Sequence, residues 1–512
     1  MASDLTIAVG QCGLQVYDAT LSIIHRGPDY ESLSSSLAPS PKLTYQPSYS
    51  SLVGTVRRAH FHKNGRARAV FVDSEPRVLN GLRADPRKPW VAAEGMGCVH
   101  ETSGRGNNWA QGYLQSDTLV ERAMESSRQE IEACDWYRGC TLYHALGGGT
   151  GSGSGTRIAR AMRDRYEKCS IASVCVAPSA TNESPVYGYN TMLSLWQLQE
   201  HADGMCMFTN DDLHARAQRA VIGNQEDQTL ILPKKDVQIP LSTLNNQCAI
   251  SMAGLVYPTC AAAMSPFRST CMYSMISDVA PVSDLKYIDV RSSVYTLPSG
   301  RERQRRRLQN RSTDSWTRTA KLLHKAIPRF DVENERIQTL HQRIVVRGHD
   351  EGTQSPWRKS GLKITKKTLS MLNPVSWNLD LHMKEGKSIQ CVARSEMDAF
   401  DGRSITVMSN RTAAASLLRR LHNKTAEMFS ANAYVHWYEE QGCDRDVFVE
   451  AFESCAKTVE AYRGASEQEA RGAILGVLET PKSRGQSQFQ DPYDVLHDSG
   501  VSQRSEPLMV RE

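Results

Sequence analysis

The chain has 512 residues, 40% hydrophobic and 23% charged, with 61 Lys and Arg against 56 Asp and Glu for a formal net charge of +5. That balance describes a folded protein of about three domain-sized units, and it excludes a disordered chain or one whose net charge alone would predict nucleic-acid binding. The 13 scattered cysteines form no C-x-x-C pair, which excludes a disulfide framework and a zinc ribbon.

In chain order, residues 5–9 (Leu-Thr-Ile-Ala-Val) read as a buried strand, followed by Gly10-Gln11-Cys12-Gly13 and a helix from Leu14 to about Ile24. No basic stretch precedes a long apolar core at this N-terminus and no apolar run approaches a membrane span, so the expectation is a soluble, cytosolic protein that contacts no membrane. Residues 67–72 form a second apolar run ending in Asp73-Ser74-Glu75-Pro76. Residues 118–134 have helical spacing, 141–146 are strand-like, 154–167 read as a basic amphipathic helix, and 171–176 as another strand. Short strands alternating with helices indicate parallel β-α-β units, so the fold class expected is α/β, opening with a doubly wound nucleotide-binding domain over residues 1–240. An apolar helix at 241–258 would form a central core. A second α/β domain over 259–411 would carry a basic loop at 299–315. C-terminal helices at 412–463 would form a hairpin, and the polar residues 464–512 a disordered tail. The basic loop contains Arg301, Arg303, Arg305, Arg306, Arg307 and Arg311, either as a solvated loop or as a contact for an acidic surface.

The most informative segment is Gly147-Gly148-Gly149-Thr150-Gly151-Ser152-Gly153-Ser154-Gly155, placed after a strand and at the head of a helix. Glycines let a backbone approach a phosphate, and the helix N-terminus behind them favours an anion. The spacing is neither G-x-G-x-x-G nor a P-loop. The Gly386-Lys387-Ser388 triplet has Leu381 where a P-loop needs its first glycine.

This run resembles the glycine-rich phosphate loop of the tubulin family, G-G-G-T-G-S-G, without a gap. Other segments fall in the family's order across residues 5 to about 462. They are Gly10-Gln11-Cys12-Gly13 with Gln15, Asp73-x-Glu75-Pro76, Gly104-Arg105-Gly106-Asn107-Asn108-Trp109-Ala110, Asn210, and Ala433-Tyr434-Val435-His436-Trp437-Tyr438. The resemblance implies GTP or GDP as ligand, with Gly147, Gly148, Gly149, Thr150 and Gly151 cradling phosphates. Gly106, Asn107 and Asn108 would face the γ-phosphate, and Gln11, Cys12, Gln15, Asn210 and Asn245 would line the rest of the nucleotide. Asp73 and Glu75 would orient waters on a Mg²⁺ ion, which usually keeps several. Arg105 is either a clamp on the γ-phosphate or a solvent-facing arginine.

Three departures qualify the resemblance. Tyr187-Gly188-Tyr189-Asn190 stands where the family usually has Glu-Pro-Tyr-Asn, so a ribose-binding carboxylate is missing. Leu241 stands where an aromatic ring usually stacks on guanine, a loss of ~1 kcal/mol. Ser274 occupies the position of the acid that promotes hydrolysis in a neighbouring subunit, and a neutral hydroxyl cannot replace it. No catalytic residue is therefore assigned, and at most a weak, partner-dependent GTPase is expected. The basic charge and the Asn210-Asp211-x-x-His214 and Phe448-x-x-x-Phe452 patterns look most like the delta branch of the family, with zeta second and epsilon third. That likeness implies a role at centrioles and basal bodies, supporting triplet microtubules of ciliated or flagellated cells. The implied partners are other tubulins or microtubule and centriolar proteins, with no specific nucleic acid.

Overall fold

The computed structural model describes residues 2–26, 60–91, 97–134, 136–179, 184–223, 239–257, 272–296, 315–348, 364, 366–375, 377–378, 392–395 and 402–466. The arginine run at 301–311 and the tail beyond Ser466 lie outside these residues.

Ten strands form one sheet: β1 (Ala2–Val9), β2 (Ala69–Asp73), β3 (Cys98–His100), β4 (Trp136–Ala145), β5 (Ser170–Ala177), β6 (Gly204–Thr209), β7 (Tyr287–Thr296), β8 (Thr339–Gly348), β9 (Val392–Ser395) and β10 (Gly402–Arg411). Their order is β3-β2-β1-β4-β5-β6-β7-β10-β8-β9. β1 to β7 run parallel in this order, and β10 pairs antiparallel with β7 and β8. The chain proceeds outward to one side through β2 and β3, then returns to β4 beside β1. That reversal is a topological switch point, and ligands of open α/β sheets bind at the carboxyl ends of the strands there.

The strands read as continuous apolar runs because helices cover both faces. Leu5, Ile7 and Val9 enter one core with Tyr189, Leu418 and Phe448, whereas Ala8 faces the other, with Leu14, Tyr17 and Met252. The second core is closed by α1 (Gly10–Arg26) and by α8 (Leu241–Val256), the expected central helix. The first is closed by α6 (Val186–His201), which carries α11 (Ala413–Ser430) and α13 (Arg445–Ser466) on its outer side. A third, smaller core lies between α10 (Ser315–Ala326) and the far strands, around Trp316, Leu323, Ile344 and Val407. Further helices are α2 (Pro76–Ala84), α3 (Trp109–Leu114), α4 (Asp117–Glu132), α5 (Gly155–Arg165) and the short α12 (His436–Glu439).

Two boundaries differ from the sequence expectation. The strands of the second α/β unit are joined to the first sheet, because β6 and β7 pair through Met205 with Tyr287 and Cys206 with Ile288. The last helix also runs through Ser466 instead of ending at 463. Tyr462 and Ala465 are buried there, and the Trp377 indole donates to the Ala465 carbonyl at 2.8 Å. Among the described residues no helix is long and apolar enough to cross a membrane.

Tyr462 fastens the C-terminal helix to the sheet. Its hydroxyl accepts from the Tyr287 N–H at 3.0 Å and donates to Asn410 Oδ1 at 2.8 Å, all buried. Tyr462→Phe leaves a buried donor and a buried acceptor unpaired. A loss of about 2 kcal/mol is expected, read as a lower urea midpoint with unchanged slope.

Candidate functional site

The loops following β1 and β4 meet at the switch point. Gly10 adopts φ +71°, and a Cβ there would stand 3.0 Å from the Gly151 nitrogen, so only glycine allows the two loops to touch. After Gly149 the chain makes a single π-helical turn (Thr150–Ser154) that continues into α5. Such turns are rare and concentrate at functional sites. The first N–H groups of this helix lack intrahelical acceptors and point outward from its N-terminus.

The glycines divide into two kinds. A Cβ on Gly149 would lie 2.3 Å from the Arg105 carbonyl oxygen, and one on Gly153 would lie 2.3 Å from that of Trp109. These glycines exist so that the loop can press against residues 105–112. A Cβ on Gly148 would meet only Asn107 Oδ1, at 3.9 Å. The open side of the loop therefore lies over Gly148, flanked by Asn107.

Beneath the loop, His144 Nδ1 faces the Gly151 carbonyl and Nε2 faces the Ser173 hydroxyl, both at 2.9 Å. A carbonyl only accepts, so Nδ1 carries the proton and Nε2 accepts from Ser173. Burial pushes the imidazole pKa down to about 4, so this support is neutral.

Asn190 closes the loops. Its Nδ2 donates to the carbonyls of Asn107 (2.7 Å) and Gly147 (2.6 Å). Its Oδ1 accepts from the Trp109 N–H (2.8 Å) and the Tyr438 hydroxyl (2.7 Å). Backbone partners of fixed polarity settle the orientation of the carboxamide. Asn107 sits at φ +52°, a conformation asparagine tolerates. Asn108 serves differently from its neighbour. Its Oδ1 caps α3 by accepting from the Ala110 and Gln111 N–H groups, its Nδ2 donates to the Trp437 carbonyl at 2.9 Å, and its own N–H bonds the Arg105 carbonyl. Asn107 is therefore the better placed of the two to face a ligand.

Asp73 ends β2, buried, with Oδ1 accepting from the Ser74 N–H at 2.9 Å. Burial raises its pKa to about 6, while Ser74 and Glu75 N–H groups oppose the shift. Ser74 Oγ meets Thr150 Oγ1 at 2.6 Å and ties this loop to the glycine loop. Glu75 lies against Gly104, where an added Cβ would fall 2.4 Å from its Oε1. A carboxylate whose charge is penalised by burial is one that a cation would stabilise, so Asp73 with Glu75 fits a hydrated Mg²⁺.

The other end of the site lies between α1 and α8. Asn245 Nδ2 donates to Gln15 Oε1 at 3.0 Å. Gln11 is exposed, and burial pushes the Cys12 thiol up to about 12, which keeps it protonated. Leu241, one turn before Asn245, is 67% exposed. Asn210 opens α7 (Asn210–Gly223) at the end of β6 and is half-buried. Arg105 points inward: its guanidinium pairs with Glu101 and donates to Ser116 Oγ at 3.2 Å, so it faces neither solvent nor the loop opening. Ser274 lies apart on α9 (Met272–Val279), where its Oγ accepts from Arg343 Nη1 at 3.3 Å.

Residues 4–218 match the model of the Tubulin/FtsZ family, GTPase domain. Similar proteins include the tubulin delta chain of Homo sapiens, 25% identical over 503 residues that cover 90% of this chain and 99% of that one. The tubulin beta-1 chain of Colletotrichum gloeosporioides is 26% identical over 418 residues, covering 79% and 84%. Residues 4–218 thus carry a GTPase domain of the Tubulin/FtsZ family. A GTPase domain of this family implies GTP or GDP binding, and it spans the loops after β1, β2 and β4 that meet at the crevice. Three supports were missed: Ser74, His144 and the role of Asn190. Each is a lone polar residue within an apolar run or beside a motif, so no spacing marks it.

Two outcomes test this geometry. Asn190→Asp preserves shape but turns a carboxylate toward two carbonyl oxygens. It is expected to destabilise by about 3 kcal/mol or more and to loosen nucleotide retention, measured by urea unfolding and by nucleotide content. For Asp73, the raised folded-state pKa means its stabilising contribution is present below about pH 4 and is lost as pH rises through about 6. Nucleotide-free Asp73→Asn should therefore lack that loss, gaining about 3 kcal/mol on wild type at neutral pH, by denaturation at pH 4 and pH 7.

Proposed function

We propose that this chain is a GTP-binding, specialised tubulin of centrioles and basal bodies, supporting assembly or maintenance of triplet microtubules in ciliated or flagellated cells. The observation that carries the nucleotide reading is the open strip over Gly148, flanked by Asn107 and fixed by Asn190. The phosphate tail would lie on the N–H groups of Gly147 to Gly151, with Gly106, Asn107 and, less directly, Asn108 at the γ end. Gln11, Cys12, Gln15, Asn210 and Asn245 would border the nucleoside, and Asp73 with Glu75 would hold waters of Mg²⁺. Bound Mg²⁺–GTP supplies a hydrolysable γ-phosphate whose presence sets the assembly state.

The protein's own residues argue for slow turnover. Ser274 offers a neighbouring subunit a hydroxyl already bonded to Arg343, so it activates no water there. Leu241 is aliphatic and exposed, and contributes no ring to a base, which relaxes base selectivity. The assignment to specialised microtubules is supported by the full-length alignment with a delta chain and by the basic net charge. Ser274 also favours a second reading, a non-polymerising GTP-binding adaptor at basal bodies. A zeta- or epsilon-type role is the nearest alternative within the family.

Nucleotide released from denatured, purified protein is expected to be GTP or GDP at near one per chain; protein that purifies empty would overturn the reading. Gly148→Val is expected to lower GTP retention at least tenfold while leaving the unfolding midpoint almost unchanged, because the new side chain enters the open strip. Tagged protein in ciliated cells should concentrate at basal bodies, and a diffuse distribution would count against that role.

A further inference from the structure

A second cavity lies on the sheet face away from α1 and α8. Along β6, Cys206 and Phe208 pack with Leu14 and Leu244, whereas Met207 turns toward the core that holds Leu418. On that side an opening of about 280 Å³ lies between β6, β7, the 328–337 loop and the start of α11. Met207, Ile337, Ala414 and Leu417 give it apolar walls. Phe330 and Val332 stand at its mouth, 55% and 57% exposed.

The floor is charged. Arg291 Nη1 donates to both oxygens of Asp212 at 2.7 and 2.8 Å, and its Nε donates to Asp289 at 2.8 Å. Arg216 pairs with Asp212 at 2.5 Å. Arg411 stands 3.8 Å from Asp289 and donates Nη2 to the Pro328 carbonyl at 2.8 Å. Three guanidiniums thus share two carboxylates. The Arg411 side chain is 2% exposed, yet its Nε has no hydrogen-bond partner in the structure. Buried N–H groups in native proteins are almost always paired, so an orphan in a cavity wall marks a missing acceptor. Burial also pushes the Arg411 pKa down to about 10, the response of a cation short of counter-charge.

We propose that this cavity is a ligand site for an amphipathic monocarboxylate, with the apolar body between Met207, Ile337 and Leu417 and the carboxylate on Arg411. The volume lies at the small end of ligand pockets, which suits a medium-chain or single-ring acid. A dianion is disfavoured because the Asp212, Asp289 and Asp331 carboxylates line the same space. Asp331 is held at the mouth, where its Oδ1 accepts from the Glu333 and Glu335 N–H groups.

Titration calorimetry of the full chain with octanoate, octanol and octylamine tests the proposal. Octanoate should bind saturably, one per chain, at least tenfold more tightly than octanol or octylamine. Equal affinity for octanol, or no octanoate binding, would overturn it. Arg411→Lys should weaken octanoate at least tenfold with little effect on octanol; should that variant fail to fold, the wild-type headgroup series decides alone. Leu417→Trp fills the cavity and should abolish octanoate binding, and persistence of that binding would place it elsewhere and sink the idea. Release of bound nucleotide by octanoate would likewise refute a site separate from the β1–β4 crevice.

Discussion

One carboxamide holds the crevice together. Asn190 reaches from the buried helix α6 and bonds four groups belonging to three separate segments: the 107–109 turn, Gly147, and Tyr438 in the C-terminal region. It is fully buried, so each lost partner would leave a polar group in an apolar interior. The glycines of the phosphate loop answer the same constraint. Gly149 and Gly153 allow the loop to press on residues 105–112, and Asn190 locks the two against α6.

The electrostatics of the crevice rest on neutrality below and partial charge above. His144 supports the Gly151 carbonyl without bringing a proton's charge into the core. Arg105, the one cation within the Gly104–Ala110 motif, is turned away into its pair with Glu101. What faces the opening is main-chain N–H, the helix N-terminus and Asn107, a set that attracts a phosphate through dipoles held at fixed positions. Asp73 is the exception, a buried acid whose charge burial penalises and a nearby cation would stabilise.

Much of this was legible in the sequence because parallel strands and phosphate loops leave strong local marks. β1, β4 and β5 declared themselves as apolar runs, and the glycine run fell at the strand-to-helix junction where a switch point needs it. Helix α6 escaped notice because it is buried nearly all round: Tyr189, Asn190, Leu193, Ser194 and Gln197 are all inside, so no polar face sets a period. The short strands β3 and β9 carry too few residues for alternation to show. The sequence leaves Arg105 open between solvent and phosphate because its partners, Glu101 and Ser116, are brought to it by tertiary folding. The pairing of β6 with β7 rests on two residue pairs that no local pattern announces.

The C-terminal region bears on how the protein can be divided. Besides Tyr438 on Asn190, the Trp437 carbonyl accepts a hydrogen bond from Asn108 Nδ2, Gln115 bonds Gln441, and the Tyr189 hydroxyl donates to the Ala433 carbonyl. Residues some three hundred positions downstream thus complete the walls of a crevice whose floor is made near the start. The matched GTPase segment therefore shares its crevice with the C-terminal region. A chain stopped short of residue 430 would expose part of the outer face of α6 and leave Asn190 and the α3 cap each missing an anchor.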